Sequence, residues 1–224
     1  MSKGKFVAFT LIAASLLSWQ IAGVNLATSS TSGVVDPCSS LSSSAGGGCW
    51  LVCPLDDGRR LDDIGATISI VAKDGTGAPL GGIPASDFWL VGCTDGLVLC
   101  AGAGGIDADS ASNANGETTM SGDMAGSGCD LSGVVVVIQS VLVAEAPNCN
   151  IQCLPITAVS PDISGNGGVI DGVVELVDFS AFGLVYNKPA SYDACFDYNC
   201  DGEVELVDFS IFGQHWEHSC QGAP

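Results

Sequence analysis

Residues 197–208 read Asp-Tyr-Asn-Cys-Asp-Gly-Glu-Val-Glu-Leu-Val-Asp. Asp197, Asn199 and Asp201 take positions 1, 3 and 5 of a twelve-residue loop, so alternate side chains converge on one centre. Gly202 at position 6 permits a sharp turn, and Glu203 at position 7 offers its backbone carbonyl. Glu205 at position 9 can hold a water, and Asp208 at position 12 closes the set. Ca2+ is a hard cation that takes about six to eight oxygens, and a loop of this length supplies them. Without a cation the same carboxylates repel one another. The spacing therefore points to calcium held by Asp197, Asn199, Asp201, Glu203 and Asp208.

The loop belongs to an internal repeat. Residues 174–183 read VELVDFSAFG and residues 204–213 read VELVDFSIFG, identical at nine of ten positions. In the earlier copy Asp171-Gly172 match Asp201-Gly202, and Asp178 matches Asp208. Positions 1 and 3 would fall on Gly167 and Val169, whose side chains cannot ligate. The missing oxygens are expected from Asp162 and Asn166, with Ser164 and Glu175 in reserve, at the cost of about five extra residues. The first site is thus read as Asp162, Asn166, Asp171 and Asp178. A longer loop has more entropy to lose, so this site is expected to be the weaker one. After each loop a helix is expected, over residues 177–182 and 207–212. Phe179 with Phe182, and Phe209 with Phe212, are three apart and share a face, which suits the core of the tail itself.

A D-x-N-x-D-G loop in tandem, each copy followed by one helix and preceded by none, resembles a type I dockerin over about residues 160–220. The Asp at position 12 fits that family too. The resemblance implies that calcium orders the module and that its helices bind a cohesin on another protein. Dockerins carry partner-reading residues at positions 10 and 11. Here those are Leu176-Val177 and Leu206-Val207, apolar and the same in both copies, which departs from an ordinary cohesin-binding surface.

Residues 49–158 have a different texture. Ala66–Ala72 alternates apolar and polar residues as a half-buried strand does, and Phe88–Val91, Leu97–Leu99, Thr118–Ser121 and Val134–Val143 are further strands in this reading. The stretch TISIVAKDGTGAPLGG, then ADSASNANGETTMSG and GVVVVIQ, resembles a bacterial Ig-like domain of the invasin and intimin type. Asp74, Gly77, Pro79, Asn113 and Gly116 carry that match. The expected fold is mainly β: an Ig-like β-sandwich over 49–158, then a small all-α EF-hand-like dockerin module over 159–221. Trp50 and Trp89 are expected in the sandwich core, although an exposed one could stack on a sugar.

The chain opens with Lys3 and Lys5 followed by an apolar run from Phe6 to Trp19, the layout of a secretory signal peptide, here taken as residues 1–29. The run is too short for a membrane span. Residues 30–48, rich in Ser, Thr and Gly, read as a flexible lead-in. Beyond the signal only Arg59, Arg60, Lys73 and Lys188 oppose 25 acidic residues. Such a surface repels nucleic acid and anionic lipid and attracts cations. Eleven cysteines fit disulfides in an oxidising compartment, with one thiol left over. The short intervals Cys93–Cys100 and Cys149–Cys153 could each close a small loop. His215 and His218, three apart, could bind zinc, but lacking an evident third ligand they read as a surface helix end. With both histidines in the tail, no Ser/His/Asp set is credible and no phosphate loop exists.

These observations lead to the expectation of a non-enzymatic protein, secreted to the extracellular space or cell surface. Its tail would dock, with calcium, onto a cohesin-like or surface protein, and its sandwich would act as adhesin or spacer. The alternative is a non-catalytic carbohydrate-binding component of a polysaccharide-degrading assembly; a third reading has the tail folded back on the sandwich as a calcium-stiffened cap.

Overall fold

Ile68 and Ile70 are buried while Ser69 between them is exposed, and a similar alternation runs along Leu41–Ser44, Phe88–Gly92 and Glu117–Met120. The computed structural model describes residues 33–55, 57–94, 96–100, 107–145, 148–165 and 169–220. The proposed signal peptide lies outside them. Among the described residues twelve strands precede two α-helices: β1 (Leu41–Ser44), β2 (Gly48–Leu51), β3 (Ile68–Val71), β4 (Phe88–Gly92), β5 (Leu97–Leu99), β6 (Glu117–Met120), β7 (Gly126–Asp130), β8 (Val134–Ile138), β9 (Val141–Leu142), β10 (Ala144–Glu145), β11 (Asn150–Ile151), β12 (Ile156–Val159), α1 (Leu176–Val185) and α2 (Leu206–Gln214). The protein is mainly β.

Strands pair as β1-β3-β6, as β4-β8-β9 and as β2-β12-β7-β5, with β10-β11 a separate ribbon. Pairing is antiparallel except between β2 and β12, which run parallel. The three larger sheets enclose one core, to which Trp50, Ile68, Ile70, Phe88, Leu90, Met120, Val136 and Ile156 contribute. The expected strand over 134–143 is two strands, because Gln139 and Ser140 adopt positive φ and reverse the chain. Two turns expected from sequence close on their own side chains. Asp74 Oδ1 accepts from the Thr76 and Ala78 N–H groups, at 2.9 and 3.0 Å. Asn113 Oδ1 accepts from the N–H groups of Asn115 and Glu117, at 2.8 and 3.1 Å.

The flexible lead-in needs correction over its described part, residues 33–48. Leu41–Ser44 pairs with β3, Cys38 is bonded to Cys149, and Val35, Ser40 and Ser42 are buried. Serine-rich composition was outweighed there by an open sheet edge and a disulfide.

The tail is not separate from the β region. Along β2 and β12, Trp50 and Ala158 face the β core, whereas their neighbours Leu51 and Val159 join Val174, Phe182, Phe196, Tyr198, Val204 and Phe212 in a second core. Each strand thus serves one core with each face, as a two-residue period requires. Three disulfides fasten the same seam: Cys49–Cys200, Cys100–Cys220 and Cys129–Cys195. Cys38–Cys149 and Cys93–Cys153 lie within the β region. The short-loop pairings suggested by spacing are therefore wrong, since folding brings each cysteine beside a partner at least 60 residues away. No helix among the described residues is long and apolar enough to cross a membrane.

Candidate metal centres

Asp197 is buried at the start of the second loop. Its Oδ1 accepts from the Asp201 N–H at 3.2 Å, and its Oδ2 from the Gly202 N–H at 2.9 Å and the Tyr192 hydroxyl at 2.9 Å. Gly202 has φ +92°, the left-handed turn expected at position 6. Asn199 Oδ1 accepts from the Asp201 N–H at 3.0 Å, and Asn199 Nδ2 donates to Asp201 Oδ2 at 2.8 Å. Asp201 Oδ1 in turn accepts from the Glu203 N–H at 3.0 Å. Asp208 is fully buried at the first turn of α2. Its Oδ1 accepts from Tyr198 and Asn199 N–H groups, at 2.7 and 3.2 Å, and its Oδ2 from the Glu205 N–H at 2.9 Å. A carboxylate has about four acceptor sites, so Asp208 keeps about one for a cation.

The first loop repeats this geometry. Asp178 Oδ1 accepts from Ile163 and Ser164 N–H groups, at 2.9 and 2.8 Å, and its Oδ2 from the Glu175 N–H at 2.8 Å. Ile163 and Ser164 thus stand where Tyr198 and Asn199 stand, which puts Asp162 in the place of Asp197. Gly172, at φ +80°, stands where Gly202 does. The extra residues of the first copy fall between Ser164 and Asp171. Asp171 comes so close to Gly165 that a Cβ there would be 2.5 Å from its Oδ2. Asp162, Asp171 and Asp178 are therefore brought together. Asn166 lies outside the described residues.

The two loops differ in what their oxygens do. Asp162 is 0% exposed, and among the described residues neither of its carboxylate oxygens has a hydrogen-bond partner; the buried Ser164 Oγ has none either. An unpartnered buried carboxylate is costly. Burial pushes the Asp162 carboxyl up to about 7, with the charges of Asp178 and Asp171 adding to the effect. The nearby Ser127 hydroxyl and Gly172 N–H pull the other way without completing a hydrogen bond. Burial also raises Asp178 and Asp208, against the backbone N–H groups that each accepts. A cation of suitable size would relieve all three.

Only half of each expected phenylalanine pair is core. Phe182 and Phe212 are each 1% exposed and stack at 5.7 Å between centroids, whereas Phe179 and Phe209 are exposed and touch at 6.1 Å. Residues three apart on a helix stand about 60° apart around its axis, wide enough for one ring to face in and the other out. Leu176 and Leu206, each 65% exposed, extend this outer patch. An apolar groove between the helices is lined by Phe179, Phe182, Gly183, Tyr186, Leu206 and Phe209.

The reading of His215 and His218 as a surface helix end is overturned. His215 is buried, and both rings meet Cys53 and Asp57 from the segment after β2. The Nδ1 atoms of His215 and His218 are 3.4 Å apart, and each is 3.3 Å from Asp57 Oδ1. Cys53 Sγ is 3.3 Å from His218 Nδ1. Cys53 is the free thiol among five disulfides, fully buried, and burial pushes it well above the ordinary thiol value. Burial likewise holds His215 below its ordinary value, against the attraction of Asp57. The histidine spacing was legible in the sequence; Cys53 and Asp57 lie some 160 residues away and carried no local signal.

No family model matches the chain, and no curated protein matches it. Among solved structures, the Lin-41 filamin domain is similar over 55% of this chain and 95% of its own, at 11% identity and a TM-score of 0.27. So distant a likeness has no bearing on fold or function.

Proposed function

We propose that this is a secreted, non-enzymatic calcium-binding protein. In this reading its dockerin-like tail docks onto a protein partner, cohesin-like or on a surface, and its Ig-like β-sandwich serves as spacer or adhesin. The observation that carries the calcium reading is Asp162: a fully buried carboxylate whose two oxygens have no partner among the described residues, beside Ser164, Asp171 and Asp178. Oxygen donors alone, several of them charged, suit a hard cation of calcium's size. The exposed, two-fold repeated apolar patch of Leu176, Phe179, Leu206 and Phe209 supports docking. Trp50 is buried and Trp89 half-buried, and the exposed aromatics among the described residues, Phe179, Phe209, Tyr192 and Trp216, all belong to the tail. That favours spacer over sugar-binding module. The seam of three disulfides adds that the docking surface is held rigidly to the β region.

Calorimetric titration of the oxidised full chain with calcium tests the first half. Two binding events are expected, one of them lost in Asp162→Asn; no binding sinks the reading. Capture of a partner that needs calcium, and that Leu176→Asp with Leu206→Asp abolishes, tests the second.

A further inference from the structure

Four ligand-type atoms that no calcium loop uses converge at the seam: Cys53 Sγ, a carboxylate oxygen of Asp57, and ring nitrogens of His215 and His218, all within 4.8 Å of one another. We propose that these four residues form a tetrahedral site for one divalent transition metal of zinc type, clasping the end of α2 to the segment after β2.

The distances decide between a metal site and a hydrogen-bonded cluster. Zinc lies about 2.0–2.1 Å from nitrogen or oxygen and about 2.3 Å from sulfur, so a tetrahedron around it has edges of about 3.3–3.6 Å. Four of the six edges are 3.4 Å from nitrogen to nitrogen, 3.3 Å from each nitrogen to Asp57 Oδ1, and 3.3 Å from sulfur to His218 Nδ1, and the two from sulfur to Asp57 and to His215 lie within 4.8 Å. The nitrogen–oxygen edges are longer than good N–H···O bonds, which fall at about 2.7–3.2 Å. Two Nδ1 atoms facing each other beside one shared oxygen satisfy each other poorly as hydrogen-bonding groups. Around a cation the same arrangement is satisfied throughout.

The donor chemistry separates this site from the loops. A thiolate and two imidazoles suit zinc and its neighbours, not calcium or magnesium. It also accounts for the odd cysteine: the other ten pair with each other, and Cys53 is the one whose neighbours are metal ligands. The backbone holds the ligands in place from both sides. Cys53 pairs with Ala125 in a parallel bridge, and its carbonyl accepts from the Gly126 N–H at 3.1 Å. The His215 N–H closes α2 on the Phe212 carbonyl at 3.1 Å, and the His218 carbonyl accepts from the Val174 N–H at 2.9 Å. Asp57 borders an open groove with Gly58, Arg59 and Gln214, which gives an ion access from solvent.

Cobalt(II) is the probe, added to the oxidised full chain, stripped of other metals, with calcium saturating so that the loops are filled. The expected result is one equivalent bound, with a thiolate-to-cobalt charge-transfer band and the intense visible bands of four-coordination, all displaced by zinc. Cys53→Ser should abolish the charge-transfer band. His218→Gln, at a half-buried position that leaves the disulfides and cores untouched, should weaken binding at least as much as loss of an outer-shell partner does, roughly 10–100-fold. A cobalt spectrum without the charge-transfer band in the unaltered chain overturns the site. So does a band that survives Cys53→Ser, or an affinity unmoved in folded His218→Gln.

Discussion

Asp162 and Asp178 share one buried pocket: Asp178 is capped by three backbone N–H groups, while Asp162, beside it, has no partner among the described residues. In the ion-free protein the proton takes the place of a cation there. The folded chain therefore binds protons more tightly than the unfolded chain between the ordinary carboxyl value of 3.8 and about 7. Stability should fall as pH rises through that window, by on the order of 2–4 kcal/mol from Asp162. Asp178 and Asp208 shift in the same sense, whereas His215, held below 6.5, opposes the trend in the upper part of the range. Saturating calcium should flatten or reverse the slope. Denaturant unfolding with disulfides intact, from pH 4.5 to 7.5, checks this; an ion-free stability that rises steadily across the range refutes it.

Asp162→Asn should act with opposite signs in the two states. At pH 7.5 without calcium it removes a buried charge and should stabilise by about 1–3 kcal/mol. With calcium it removes a ligand and should destabilise. Melting temperatures of the variant and the unaltered protein, with and without calcium, read both signs.

The two rings of each helix should separate stability from docking. Phe182→Ala or Phe212→Ala empties the tail core and should cost about 3–5 kcal/mol. Phe179→Ala or Phe209→Ala should cost roughly 1 kcal/mol or less, as surface changes do, while weakening partner capture. A large stability loss from Phe179→Ala would assign that ring to the core.

Peptide mapping without reduction should recover Cys38–Cys149, Cys49–Cys200, Cys93–Cys153, Cys100–Cys220 and Cys129–Cys195, with Cys53 alkylated only after unfolding. Replacing Cys129 and Cys195 together by Ala should cost about 2–4 kcal/mol. Recovery of a Cys93–Cys100 peptide would contradict the fold of the β region.

What the sequence by itself determined is what short-range spacing encodes. The acidic twelve-residue loop follows from positions 1, 3, 5, 6 and 12 between Asp197 and Asp208, strand β3 from alternation within a few residues, and β4 and β5 from short apolar runs bounded by turn residues. Strand β7 was not legible: Gly126-Ser127-Gly128-Cys129-Asp130 has almost no apolar pattern, and Gly128 is required at φ +92° because a Cβ would strike the Gly96 carbonyl. Spacing could not show that Leu51 and Val159 turn from the β core to serve the tail, although it did name Asp162 across an insertion of about five residues. Tertiary structure alone decided the disulfide map and the meeting of Cys53 and Asp57 with His215 and His218. Those contacts join residues far apart in the chain, and they exist because strand pairing and the shared core place distant segments side by side, a relation that no local period records.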